Sequence, residues 1–218
     1  MKEVSMIHLE TPITEADILQ LRAGDAVQIS GIATTARDAA HKYMVERLVE
    51  APKPLSGEDA ILYDQLYAIL HDGVLYHCGP VVRERDKQWH FVSAGPTTSI
   101  REEIYQDKVI AEFGVRVVIG KGGMKVRTLA ACQKYRAVYL HAIGGAGVYN
   151  ASSIVEVLDS FKRAEFGSPE AFWKIRFDRF TGIVTMDAHG KSLHETLAEQ
   201  TDKNFAALVP HPKDVADQ

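Results

Sequence analysis

Three short segments of this chain place hydroxyl, cationic and glycine residues in an order suited to holding a small anion. The first is Thr34-Thr35-Ala36-Arg37-Asp38-Ala39-Ala40-His41, which lies after an apolar run and opens a helical pattern. Thr35 and Asp38 stand at capping-box spacing, and Asp38 suits the positive end of a helix dipole. Arg37 opposes that dipole, since a cation in a first turn costs about 0.3–1 kcal/mol. Either Arg37 pairs with an acid on a neighbouring element, or it joins the helix N–H groups in holding a carboxylate. The second segment, Gly95-Pro96-Thr97-Thr98-Ser99-Ile100-Arg101-Glu102, repeats the order of turn, two threonines, helix start and arginine. A capped helix with a surface arginine is its plain reading, and the recurrence is what argues for a ligand. The third, Gly120-Lys121-Gly122-Gly123-Met124, directly follows the apolar run VRVVI. Its glycines let backbone N–H groups approach a ligand and Lys121 adds a point charge, although such a turn alone is more often a plain turn.

Other chemistries find less support. The spacing G-x-x-x-x-G-K-[ST] of a phosphate-binding loop is not matched, and Gly144-Gly145-Ala146-Gly147 lacks the third glycine of a dinucleotide fingerprint. The nine histidines form neither H-x-x-x-H nor H-E-x-x-H, so no metal ligand is assigned in this chain. The two cysteines, Cys78 and Cys132, are too few for an iron–sulfur cluster, which takes about three or four thiolates. They read as buried small apolar residues. What remains is two arginines, a lysine and several hydroxyls. That set suits a small dicarboxylate, each charge-assisted hydrogen bond contributing roughly 1.5–3 kcal/mol. It describes a binding site and does not name a reaction.

The elements that must position these residues follow from hydrophobic period and punctuation. Thr14 and Asp17 predict a capped short helix. Strands are expected at 26–31, 74–77 and 89–94, with a helix over 36–49. A Pro/Gly-rich loop covers 51–58. Then the pattern alternates: helix 99–113 stopped by Gly114, strand 115–119, helix 126–134, strand 137–143. Segments 172–177 and 182–186 read as strands, and 187–190 as a turn between strands. Parallel βαβ units with added strands at both ends give an α/β fold with a mixed sheet. In such a sheet, loops at the carboxyl ends of strands share one crevice, which would bring the three segments together. The 218 residues suggest one domain, 1–209, with a polar tail, 210–218. With a formal charge of −4 and no basic run, nucleic acid is not an expected partner. No apolar run approaches the roughly 18 residues of a membrane span, and the N-terminus lacks a signal pattern, so a cytoplasmic protein is expected.

The segments VSAGPTTSIRE, VVIGKGGM, TTARDAAHK and YHCGPVVRE resemble the beta subunits of L(+)-tartrate dehydratase and of two-subunit class I fumarases. They are also similar to the C-terminal domain of single-chain class I fumarases. The likeness runs in order from Leu9 to Leu193 and includes IGGAGVYNA, FWKI and GIVTMDAHG. The resemblance implies a swivelling β/β/α domain and a hetero-oligomer. The partner it implies is an alpha subunit carrying a four-iron four-sulfur cluster on three cysteines. The reaction it implies is reversible addition of water to a double bond beside a carboxylate, on fumarate/malate or tartrate/oxaloacetate. The cluster's open iron would act as Lewis acid, and a base would take the proton from the adjacent carbon. Residue by residue, the resemblance puts Thr97 on the general base and Arg37, Arg101 and Lys121 on the substrate carboxylates. Asp38, His41 and Thr98 fall on supporting positions, where a purely structural role is as good a reading. An alcohol is a weak base at neutral pH, so Thr97 would need nearby positive charge. The chain reads TTSIR where single-chain fumarases read TTAGR, and the bulky Ile100 leans toward a substrate other than plain fumarate. From another class, a non-catalytic dicarboxylate-binding or regulatory module would need neither the base nor the cluster-bearing partner.

Overall fold

The protein is described by a computed structural model over residues 6–208. The expected polar tail at 210–218 and the first five residues lie outside the described residues. In chain order the elements are β1 (Ile7–Glu10), α1 (Glu15–Gln20), β2 (Ala26–Ala36), α2 (Asp38–Tyr43), a π-helical turn (Met44–Val49), α3 (Gly57–Leu70), β3 (Val74–His77), β4 (Val81–Arg85) and β5 (Gln88–Ser93). They continue with a 3-10 turn (Ser99–Glu102), α4 (Glu103–Phe113), β6 (Val117–Gly120), α5 (Val126–Tyr135), β7 (Val138–His141), α6 (Gly147–Ser152), β8 (Ile154–Phe161), α7 (Arg163–Phe166), β9 (Phe172–Met186) and α8 (Leu193–Leu208). No helix among the described residues is long and apolar enough to cross a membrane.

The sheet is mixed, in the order β1-β2-β3-β6-β7-β9-β8. The strands β2, β3, β6 and β7 run parallel, whereas β9 is antiparallel to both β2 and β7. Because β9 pairs at one side with β2 and at the other with β7, the ladder closes on itself, and its two faces bury separate cores. Inside the closure lie Val27, Val74, Val117, Val138, Ile175 and Phe177 with their neighbours. The β4–β5 hairpin covers this core, with Trp89 and Phe91 edge-on to Trp173. Outside, Leu75, Val118 and Tyr139 pack against Met44, Leu66, Val109 and Leu129 of the helices. The continuous apolar runs of the middle strands reflect burial on both faces. The α/β class with a mixed sheet and flanking helices is therefore as the sequence reads.

Several local expectations change. β2 does not end at Gly31 but runs on to Ala36, because β9 pairs with it past a register shift at that glycine, whose φ is 103°. Thr35 is consequently a strand residue opposite Trp173, and its hydroxyl accepts the Trp173 N–H at 3.2 Å. The capping box with Asp38 does not form, and the residue at the N-cap is Arg37, with no side-chain cap. The single helix expected over 36–49 is α2 followed by the π-helical turn. The two late strands are one fifteen-residue strand, β9, bent at Arg179 with a φ of 52°. The turn after it leads to α8, with only the bridge between Met186 and Ser192 where a strand was expected. Helix α3, which buries Leu62, Leu66, Ile69 and Leu70 at helical spacing, is unassigned in the sequence reading. The Thr14–Asp17 capping box is present, and Gly114 ends α4 in the left-handed region with a φ of 66°.

Candidate active site

The three segments meet at the carboxyl ends of β2, β3 and β6. β2 ends at Ala36, next to Arg37 and Asp38, and β6 ends at Gly120, next to Lys121. The Gly95–Ser99 segment is laced between the strand ends. Cys78 bridges Pro96, the Thr97 N–H donates to the His77 carbonyl at 2.7 Å, and the Ser99 N–H donates to the Lys121 carbonyl at 3.0 Å. Thr98 pairs with Lys121 as a parallel bridge, so the lysine stem and the threonines share one edge.

Asp38 and Arg101 organise the polar side chains. Arg101 Nη2 donates to Thr97 Oγ1 at 2.8 Å and to Asp38 Oδ2 at 2.9 Å. Arg37 Nε lies 3.3 Å from the same aspartate oxygen and 3.2 Å from Glu170 Oε1. The other Glu170 oxygen accepts the Ala39 N–H at 2.9 Å, so the anion at the first turn of α2 is the chain's own Glu170. This is the plain reading of Arg37 for its Nε, and Glu170 is the neighbouring acid. The guanidinium tip is laid over Gly79, where a Cβ would come within 2.7 Å of Arg37 Nη1. A glycine is needed there for that approach. Lys121 joins none of the ion pairs among the described residues and lies beside Gly144. Thr97 is half-buried and Thr98 exposed, with no cap bond from the Thr98 hydroxyl.

Beneath this layer runs a buried polar chain that the sequence reading missed except for His41. His41 and His77, both fully buried, flank the Gln106 amide, with Nε2 atoms 3.2 and 2.7 Å from its Oε1. His41 Nδ1 faces the Arg37 carbonyl at 3.0 Å, and His77 Nδ1 faces Ser99 Oγ at 2.9 Å. The Tyr139 hydroxyl donates to Ser99 Oγ at 2.8 Å. Each of the three segments is tied to this chain: the first through His41, the second through Ser99, the third through Gly120. A Cβ on Gly120 would fall 1.9 Å from Ser99 Oγ and 2.9 Å from the Tyr139 hydroxyl. Burial pushes His41 down to about 4 and His77 well below its ordinary value, so both rings are neutral at pH 7. Glu102, also buried, is pushed up to about 8 by burial and then by Asp38. The segment Gly95–Glu102 already contained Ser99 and Glu102, but only the tertiary contacts give them partners. Glu170 carries no motif that could have found it.

Chemically the arrangement offers a hydroxyl with a guanidinium hydrogen-bonded to it, and further cations around it. Positive charge at hydrogen-bond distance favours an alkoxide over an alcohol, which is the condition Thr97 needs to take a proton. Cys78 and Cys132 are buried and lie on separate elements, the end of β3 and α5. Burial raises both thiols, Cys132 to about 12, so neither is a reactive group. Among the described residues no group of three or more His, Cys, Asp or Glu side chains is arranged to hold a metal ion.

The family model described as the fumarase C-terminus matches residues 1–197. A Geobacillus stearothermophilus protein whose name assigns it to the class I fumarate hydratases is 44% identical over 200 residues. That match covers 91% of this chain and 35% of the relative, so the chain spans little more than a third of that protein. The L(+)-tartrate dehydratase subunit beta of Escherichia coli (strain K12) is 36% identical over 208 residues, covering 93% of this chain and 96% of the relative.

Proposed function

Because the chain belongs to the fumarase C-terminus family, we propose that it is the beta subunit of a hydro-lyase that adds water to, or removes it from, a small dicarboxylate. The observation that carries this reading is Arg101, which holds Thr97 Oγ1 at 2.8 Å on the same edge of the sheet as Arg37 and Lys121. A hydro-lyase must hold two carboxylates and handle a proton on the carbon beside one of them. Arg37, Arg101 and Lys121 supply the cations. Arg101 presents a planar fork that matches a carboxylate, and Lys121 a mobile point charge. Thr97 is the proton-handling group, made more acidic by the guanidinium on its oxygen. Asp38 orients both arginines, His41 anchors the first turn of α2, and Thr98 sets the register against Lys121.

The family's iron–sulfur chemistry does not fit this chain's own residues. Its two cysteines are buried on separate elements and no metal-holding group occurs among the described residues. In our reading the four-iron four-sulfur cluster belongs to an alpha subunit, which completes the site in a cytoplasmic hetero-oligomer.

The test is anaerobic affinity purification of the tagged chain from its own host, followed by assays on fumarate, malate and tartrate. A larger co-purifying protein with iron–sulfur absorbance and dehydratase activity is the expected result, and the assays name the substrate. A lone, colourless chain that binds dicarboxylates without turnover would replace this reading with a binding or regulatory module.

A further inference from the structure

Glu102 is a buried ionisable side chain at this site that has no part in the chemistry above and whose oxygens lack a hydrogen-bond partner among the described residues. It ends the 3-10 turn that follows Thr98 and carries Arg101, and its side chain is fully buried. Neither carboxyl oxygen meets a donor. His41 Nδ1 is 3.6 Å away, beyond hydrogen-bond distance, and faces the Arg37 carbonyl at 3.0 Å. After burial, the group that acts most on its carboxyl is the carboxylate of Asp38, which raises it. Two ionised carboxyls are acceptors only, so oxygen facing oxygen is repulsive unless one of them carries a proton. Asp38 is the one committed to charge, because Arg101 and Arg37 hold its Oδ2.

Resting on the hydro-lyase reading of this site, we propose that Glu102 is a positioning residue that stays a carboxylic acid and donates its O–H to Asp38, fixing the carboxylate that aims Arg37 and Arg101. The charge-bearing groups around it are Asp38 and His41 on α2, Arg101 in its own turn and Glu170 before β9, with His77 and Gln106 beneath. Burial first, and then Asp38, lift its carboxyl to about 8. With Glu102 neutral, Arg37, Arg101 and Lys121 against Asp38 and Glu170 leave one net positive charge for a dianionic substrate. An ionised Glu102 cancels that charge and pushes Asp38 off its position. Substrate affinity should therefore fall as pH rises through Glu102's titration.

Two measurements test this. Infrared titration of the full chain should show a protonated-carboxyl band at pH 6.5 that is lost through about pH 8 and is missing in Glu102→Gln. A carboxyl already ionised at pH 6.5 would overturn the proposal, because Glu102 would then be the ionised partner of His41. In the assembled enzyme, Glu102→Ala should raise KM about tenfold with a smaller change in kcat, and Glu102→Gln should restore KM to within about threefold. The glutamine variant should also abolish the alkaline rise in KM. A rise that persists in Glu102→Gln, or an unchanged KM in Glu102→Ala, contradicts the positioning role; should the alanine variant not fold, the glutamine variant and the band decide. An assembled enzyme without hydro-lyase activity would sink the functional reading alone, since the infrared band reports Glu102's proton whatever the reaction.

Discussion

At the residue scale, Thr97 and Arg101 form a unit rather than two independent contributors. Arg101 Nη2 serves Thr97 Oγ1 and Asp38 Oδ2 at 2.8 and 2.9 Å, so the cation on the Thr97 hydroxyl is itself fixed by a carboxylate. Thr97→Val keeps the shape and removes the hydroxyl. It should lower kcat by about 100-fold or more and leave KM within about threefold, measured on the assembled enzyme, if Thr97 handles the proton. Turnover near the parent level would place the proton-handling group elsewhere than Thr97. Arg101→Ala should raise KM by about 30- to 100-fold, the loss of roughly 2–3 kcal/mol in a charge-assisted contact, with unfolding midpoints little changed. Arg101→Lys should recover only part of this, because an ammonium cannot serve Thr97, Asp38 and a carboxylate in one plane. Unchanged kinetics in the alanine variant would remove Arg101 from the site.

At the element scale, the site is held from below. The 3-10 turn and α2 have no long stretch of regular structure in common, yet His41, Gln106, His77, Ser99 and Tyr139 join them through one buried hydrogen-bond chain, against which the end of β6 packs at Gly120. Such chains stabilise most when each member is satisfied, and in this one Gln106 Nε2 is left without a partner. Gly120 is the tightest point, with a Cβ position 1.9 Å from Ser99 Oγ. Gly120→Ala should therefore cost about 1–3 kcal/mol in denaturant unfolding, as overpacking does, and should also lower kcat/KM by displacing the Thr97 turn. Gly79→Ala would meet Arg37 Nη1 and Cδ and the backbone carbonyl of Pro169, so it displaces the Arg37 side chain and strains the Pro169 backbone. It should raise KM through Arg37 and also lower stability through the Pro169 backbone. Equal stability losses without any kinetic change in either variant would show that these glycines serve packing alone.

At the scale of the whole molecule, β9 closes the sheet and divides the protein into an interior core and a helix-covered outer core. The cost of this design is polar groups sealed under the outer core. His41 and His77 are neutral when folded and take up protons when unfolded, because their ordinary value is 6.5. Between pH 6.5 and about 4 the unfolded chain binds more protons than the folded one, so stability should fall as pH is lowered through that window. Glu102 acts in the opposite sense. Its folded value of about 8 lies above its ordinary 4.5, so its contribution is complete below 4.5 and is lost as pH rises toward 8. Urea midpoints measured across pH should peak between these limits, and Glu102→Gln should flatten the alkaline side. A midpoint that does not fall between pH 6.5 and 4 would mean that one of the buried rings is charged in the folded protein.

The α/β class, most of the middle strands, the Thr14 capping box and the Gly114 stop were determined by the sequence alone, because each depends on local period or on residues three or four apart. The gathering of Arg37, Thr97, Arg101 and Lys121 on one edge was also legible, since parallel strands place their carboxyl-end loops together. What the tertiary structure decided lies in contacts between residues far apart in the chain. β2 extends past Gly31 because β9, about 150 residues later, supplies the hydrogen-bond partners, and the same pairing takes Thr35 out of the capping role. Glu170 has no motif and becomes a site residue only by lying against Arg37 and Ala39. Glu102 and Ser99 stood in a recognised segment without a role, since burial and partners, not residue type, give a carboxyl or a hydroxyl its function.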